Sequence, residues 1–69
     1  MFVELNAIRY YIINGYDGET DRCAINFNNV MAIIERKKGG CQIIGIDGTT
    51  TEIKENYDEV LEAVKQAEA

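Results

Sequence analysis

The chain contains no histidine, serine, tryptophan or proline among its 69 residues. Without histidine it lacks the commonest general acid–base group and metal ligand, and without serine it lacks the commonest hydroxyl nucleophile. Its two cysteines are too few for a disulfide framework, and no imidazole is present to activate either thiol. These absences predict a protein that is not an enzyme and that uses no metal or other cofactor.

Positive charge is also scarce, because 7 lysines and arginines stand against 12 acidic residues and leave a net charge of −5. This balance disfavours direct nucleic-acid binding, which normally needs a basic surface. An acidic surface gives solubility and suits a basic partner. The chain opens without a basic segment or a long apolar run, so we expect no secretory signal, no membrane contact and a cytoplasmic location.

The length predicts a single domain over residues 1–69. A domain of this size buries only about 60% of the surface that its unfolded chain exposes, so its stability is marginal. Neither a disulfide framework nor a metal site is available to add stability. We therefore expect the chain to associate with itself, as a dimer or a larger assembly, and we also expect a protein partner.

The clearest pattern lies in the C-terminal part of the chain. Asp-Gly between two extended segments predicts a type I′ hairpin turn, which needs positive φ at both residues. Asn56 followed by Glu59 predicts a capping box, and apolar residues at helical spacing follow it. The predicted elements are a strand over 41–46, a turn at Asp47-Gly48, a strand over 49–54 and a helix over 57–67.

The first forty residues predict further strands. In order, the predicted elements are a long strand over 2–13 with a bulge after Ala7, a loop over 14–21, a strand over 22–26, a turn over 27–29, a strand over 30–35 and a hairpin tip over 36–40. The continuous apolar run Val30–Ile34 predicts a central strand that is covered on both faces. Gly45 predicts a bulge or a close approach of the backbone or of the helix above it.

These elements predict an α+β fold, an antiparallel meander of four or five strands with one C-terminal helix packed on one face. One helix covers one face only, yet the strands carry apolar residues on both faces. The surplus has two compatible outlets: the sheet curls into a half-barrel, or its second face meets another subunit. Tyr10–Ile13 fits either a bulged strand or a strand covered on one face by that subunit.

The candidate contact residues come from the end of the first strand, the predicted loop and the helix. The carboxylates of Asp17, Glu19 and Asp21 alternate as calcium ligands do, but the EF-hand glycine and final glutamate are not in place. A binding tip and an ordinary hairpin loop both remain open there. The candidates are Tyr10, Tyr11, Ile13, Tyr16, Asp17, Glu19, Asp21, Asp58 and Glu62.

Several short motifs carry a resemblance to a known family, and together they span a little more than half of the chain. They are Ile25-Asn26, Val30, Ile33, Glu35, Asp47-Gly48 and the run from Lys54 to Val60. With these motifs the segment from Ile25 to Val64 resembles the small flagellar proteins of the FlbD/SwrD type and similar short bacterial and phage-encoded proteins. The resemblance implies a β-meander followed by a helix, and a non-enzymatic role that is exerted through protein contacts.

Three hypotheses for function follow. The first is a protein–protein interaction module that associates with itself through the sheet face left uncovered by the helix, or that binds a partner through the 14–21 loop. The second is an inhibitor of the phage or mobile-element type, whose acidic helix face binds a basic or nucleic-acid-binding host protein. The third is a binder of a small molecule or nucleotide that uses Arg22, Arg36 or Lys37 between subunits.

Overall fold

β-Branched and aromatic residues dominate the first half of the chain, and extended backbone accommodates them best. The computed structural model describes residues 1–11 and 15–68, and for residues 10, 11 and 15–18 it describes the backbone alone. Its elements are β1 (Phe2–Tyr11), β2 (Gly15–Asn26), a 3₁₀ turn (Phe27–Asn29), β3 (Val30–Glu35), β4 (Cys41–Gly45), β5 (Thr50–Ile53) and α1 (Tyr57–Glu68). One antiparallel sheet and one C-terminal helix confirm the predicted α+β class.

The sheet has the strand order β2-β1-β5-β4-β3, so two consecutive strands lie at its opposite edges. In a flat sheet those edges would be about 19 Å apart, but the three-residue turn Phe27–Asn29 connects them. Hydrogen bonds hold this turn on both sides, from Phe27 N–H to the Met1 carbonyl (2.8 Å) and from Ile46 N–H to the Asn29 carbonyl (2.9 Å). The sheet therefore curls, although it does not close between β2 and β3.

The core lies on the concave side of this curl. Alternate residues of the central strands point inward, and buried Val60 meets them from α1, together with partly buried Ala63 and Val64. The helix contacts β1 and β3, so it spans the concave side between two non-adjacent strands. The buried residues are Val3, Leu5, Cys41, Ile43, Ile53 and Val60. Curling thus lets a single helix contact two strands that are not neighbours in the sheet.

The first hairpin is more regular than the sequence predicts. Residues 14–21 are predicted as a loop, but β2 begins at Gly15 and pairs there with Tyr11. The prediction is wrong for residues 15–21 because β1 offers a ten-residue pairing strand, which outweighs local turn preference. Residues 12–14 lie outside the described residues. The predicted irregularity in pairing exists between Ile8 and Tyr10, where residues 17–19 of β2 face one residue of β1.

The prediction of a central strand over Val30–Ile34 is also wrong, because β3 is the last strand of the sheet. Its apolar run is divided between two environments. Val30 and Ile33 pack against the core, whereas Met31 and Ile34 are exposed. A continuous apolar run is typical of a strand covered on both faces, but β1 pairs with β5 and β3 pairs with β4 alone, so β3 is an edge among the described residues.

The turn between β4 and β5 is not type I′. Of the described residues only glycines have positive φ, so Gly48 (φ +88°) adopts this conformation and Asp47 does not. Gly48 N–H donates to the Gly45 carbonyl (3.0 Å), and the Asp47 carboxylate accepts bonds from Thr49 N–H (3.1 Å) and Oγ1 (2.7 Å). The pairing of β3 with β4 shifts register next to Gly45, which fits the predicted bulge. A Cβ on Gly45 would lie 2.9 Å from the Asp47 carboxylate, so the close approach is made by a side chain of the turn and not by the helix.

The start of α1 is tied to the β3–β4 hairpin through Asn56. Glu59 accepts a hydrogen bond from Asn56 N–H (3.0 Å), which is half of the predicted capping box. The Asn56 side chain does not complete the box, because its oxygen accepts the N–H of buried Gly40 (3.0 Å). Gly40 itself has a φ of +73° and lies against the Ile53 carbonyl oxygen, so this position has no room for a side chain.

Substituting two glycines that have positive φ separates the cost of backbone strain from the cost of a steric collision. We expect Gly48→Ala to lower the free energy of unfolding by about 1–2 kcal/mol, because a Cβ there has nothing within 4 Å and adds only conformational strain. Gly40→Ala should cost more than about 3 kcal/mol, because its Cβ also collides with the Ile53 carbonyl. Urea denaturation at one protein concentration measures both, and equal losses would contradict this packing.

Candidate functional site

The strongest exposed feature is the apolar character of β3. Among the side chains that the structure describes, four large apolar ones are exposed: Phe2 (68%), Met31 (65%), Ile46 (66%) and Ile34 (45%). Two of the four, Met31 and Ile34, belong to β3, whose Val30 and Ile33 pack inward. This edge strand is therefore the part of the described chain where exposed apolar surface meets an open sheet edge.

An apolar groove lies between β3 and α1. It has a volume of about 320 Å³ and is lined mainly by Phe27, Val30, Met31, Ile33, Tyr57 and Val64. Tyr57 and Val64 are seven residues apart, so they lie on the same side of the helix. The groove can therefore accept apolar side chains.

The convex face of the sheet is polar at its centre. On β4 and β5 the residues that alternate with the buried ones are Gln42, Thr50 and Glu52, which are polar, and Ile44, which is apolar. Arg36 forms an ion pair with Glu52, and Gln42 donates to the same carboxylate (3.1 Å). This network is satisfied within the chain. Its apolar neighbours on the convex face are Ile44 of β4 and exposed Ile34 of β3, which lies opposite Gln42.

Two carboxylates of the segment predicted as a loop over 14–21, those of Glu19 and Asp21, are paired with a basic residue of β1, Arg9. Its guanidinium contacts Glu19 (2.7 Å) and also pairs with Asp21. The hydrogen bond from Arg9 holds the pKa of Asp21 below its usual value. Two of the three alternating carboxylates therefore stabilise the β1–β2 hairpin across its strands. Arg9 was not predicted as a partner of these carboxylates. The signal for this pairing is a basic residue on the strand next to the acidic residues.

The structure places the other predicted contact residues as follows. Ile13 lies outside the described residues, and for Tyr10, Tyr11, Tyr16 and Asp17 the backbone alone is described, with Tyr10 opposite Tyr16. Asp58 and Glu62 are exposed on α1, where Gln66 donates to Glu62 (3.0 Å). The predicted residues thus belong to separate elements, the β1–β2 hairpin and α1. Met31 and Ile34, which sequence reasoning missed as contact residues, were signalled by the apolar run of β3.

The acidic face of the helix is only partly free for binding. Glu55 accepts hydrogen bonds from the Asn6 N–H and side-chain amide (both 2.9 Å), and Glu59 caps the helix. These two carboxylates therefore form hydrogen bonds within the chain, Glu55 with β1 and Glu59 with the residue before α1. The exposed carboxylates of the acidic helix face are Asp58, Glu59, Glu62 and Glu68.

The basic residues proposed for a nucleotide do not form a cluster. Arg36 is paired with Glu52, and Lys37 lies with Arg36 near a separate cleft beside Gly40. The larger cleft, of about 430 Å³, is lined by residues such as Asn29, Asp47 and Thr51, with no lysine or arginine among its described residues. At the Gly40 cleft a phosphate group would meet Lys37 and the Arg36–Glu52 ion pair, whereas the described lining of the larger cleft offers no basic residue.

The cysteines behave as small apolar residues. Cys41 is fully buried and Cys23 is half-buried, and burial raises the pKa of both thiols. A raised pKa keeps a thiol protonated and unreactive near neutral pH. Within residues 1–11 and 15–68, no group of three or more potential ligands is arranged to hold a metal ion.

Together these features define a small α+β protein with one open, apolar strand edge. Across the described part of the chain, no helix is both long and apolar enough to cross a membrane. Comparison of the chain with protein-family models, curated proteins and solved structures finds no match.

The Arg9–Asp21 pair makes a testable prediction about pH. Because the pKa of Asp21 is lowered in the folded chain, the pair contributes stability above the ordinary value of 3.8 and loses it as pH falls through the lowered pKa. Arg9→Gln should raise the pKa of Asp21 towards 3.8, as measured by NMR titration of the carboxyl carbon. Asp47, whose pKa is lowered by Thr49, is the internal control and should not move. An unchanged Asp21 titration would contradict the role of Arg9.

Proposed function

We propose that this chain is a non-enzymatic protein–protein interaction module that associates with itself. The observation that carries the proposal is the open edge of β3, which presents the exposed side chains of Met31 and Ile34 beside an apolar groove. Exposed apolar groups that cluster at one place on a small protein are typical of a contact surface.

The size of the core supports the same proposal. Only six apolar residues of the described chain are buried, so the core gives limited stability to an isolated subunit. Burying the β3 edge against another chain would add to that small core. The polar network around Glu52 makes the centre of the convex face a poorer contact surface, because its groups already satisfy one another.

A specific observation favours one other candidate function. The acidic side of α1 exposes Asp58 and Glu62, and the whole chain carries a charge of −5. These carboxylates could bind a basic protein in the place of nucleic-acid phosphates, as an inhibitor does. This function would depend on charge and on salt concentration, whereas contact through β3 would depend on apolar burial.

Sedimentation equilibrium over a wide range of concentration tests the proposal. We expect the wild-type chain to associate reversibly. The charge-reversed variant Asp58→Lys/Glu62→Lys changes the net charge from −5 to −1, because each substitution adds two charges, and it should associate at least as strongly as the wild type, because the repulsion between two copies is smaller. A wild-type chain that stays monomeric at high micromolar concentration would contradict self-association. Loss of association in the charge-reversed variant would move the contact to the acidic helix.

A further inference from the structure

The hydrogen-bonding pattern of β3 shows which of its main-chain N–H and C=O groups point away from β4, its one partner strand among the described residues. Arg36 N–H donates to the Gly40 carbonyl (3.2 Å), which fixes the alternation along this antiparallel pair. Ile34 and Ala32 therefore direct their N–H and C=O groups towards β4. Ile33 and Glu35 direct theirs to the other side, where no strand pairs with β3 among the described residues.

Natural sheet edges are usually protected by charges, proline or bulges. In β3 the pairing is irregular near Met31, between Val30 and Ala32, but it is regular from Ala32 to Glu35. The strand contains no proline, and Glu35 is its one charged residue. The regular part of the edge is therefore free to pair with another strand.

The two faces of β3 offer apolar surface on both sides of such a pairing. Met31 lines the groove beside α1, and Ile34 alternates with the inward-facing Ile33 and so lies on the convex face. A peptide lying only in the groove would leave Ile34 exposed. A second sheet joined to this edge would shield side chains on both faces at once.

Charge indicates that the added strand belongs to a second copy of this chain. Two molecules of charge −5 repel one another, so they can meet closely only where the surface carries little charge. Residues 30–34 carry none. A basic partner would instead be attracted to the exposed carboxylates of α1. Antiparallel pairing about a two-fold axis also places the two Glu35 carboxylates at opposite ends of the shared segment.

We infer that two copies pair through β3, edge to edge and antiparallel, to form one continuous sheet across the dimer. This inference rests on the proposed self-association and adds its contact site and geometry. The main-chain groups of Ile33 and Glu35 bond to the partner strand, and the two apolar grooves lie on the same side of the joined sheet. Met31 and Ile34 are the side chains that association covers.

Matched lysine variants test the contact site. Met31→Lys/Ile34→Lys places charges on the edge and should weaken dimer formation at least about 30-fold in sedimentation equilibrium. Phe2→Lys and Ile46→Lys alter side chains that are equally exposed but lie outside β3. These controls should dimerise as the wild type does. Circular dichroism confirms that each variant is folded.

Amide hydrogen exchange of the wild type tests the geometry without any variant. In the dimer the amides of Ile33 and Glu35 should be protected, and dilution to monomer should remove that protection. The amide of Ile34 bonds to β4 and should stay protected in both states. This contrast between neighbouring residues is specific to strand pairing at the open edge.

The outcomes separate the inference from the proposed function. If the wild type and the β3 lysine variant associate with equal affinity, pairing through β3 is wrong and self-association stands. The same conclusion follows if the amides of Ile33 and Glu35 exchange freely in the dimer. A wild type that never associates overturns both, because no dimer then exists. If the Phe2→Lys control disrupts the dimer as strongly as the β3 variant, the contact is not confined to β3 and the inference fails.

Discussion

The connection between the two edges of the sheet is the constraint on which the rest of the structure depends. β2 and β3 are separated in sequence by Phe27–Asn29, and three residues in 3₁₀ conformation advance only about 6 Å. A flat five-stranded sheet cannot satisfy that distance. Curling brings the edges towards each other and directs the alternate residues of every strand to one concave interior.

This constraint also explains why a single helix suffices. In a flat sheet α1 would cover one face partially, but on a curled sheet it contacts β1 and β3 from the concave side. Val60 is its one fully buried residue because the interior is narrow. Asn56 fixes where the helix starts by bonding to Gly40, so the helix position follows from the β3–β4 hairpin and not from its own capping box.

Local sequence signals predicted the class of fold, the helix and the strand segments well, because alternation and helical spacing are local properties. The exceptions arose where distant residues decide the outcome. Residues 15–21 carry turn-forming residues but form a strand because β1 lies beside them. Val30–Ile34 has a central-strand composition but forms an edge, because the strand order depends on β1 pairing with β5.

The candidate site was hidden from sequence reasoning for the same reason. An apolar run indicates that a strand is covered, but it does not say whether the cover comes from its own chain. The described chain covers Val30 and Ile33 and leaves Met31 and Ile34 uncovered. The composition of β3 is therefore explained most simply if the remaining cover comes from outside the subunit.

The energetics of such a contact indicate a reversible association. Burying the exposed parts of Met31 and Ile34 in both chains contributes on the order of 5 kcal/mol. Loss of translational and rotational freedom costs at least about 4 kcal/mol, so these side chains alone nearly balance the cost of association. In the proposed dimer the surplus comes from main-chain hydrogen bonds at Ile33 and Glu35 and from the groove lining. Because open main-chain groups alternate along the strand, a shift of one residue would break these bonds, so the strand edge restricts the register, while the exposed side chains supply most of the driving force.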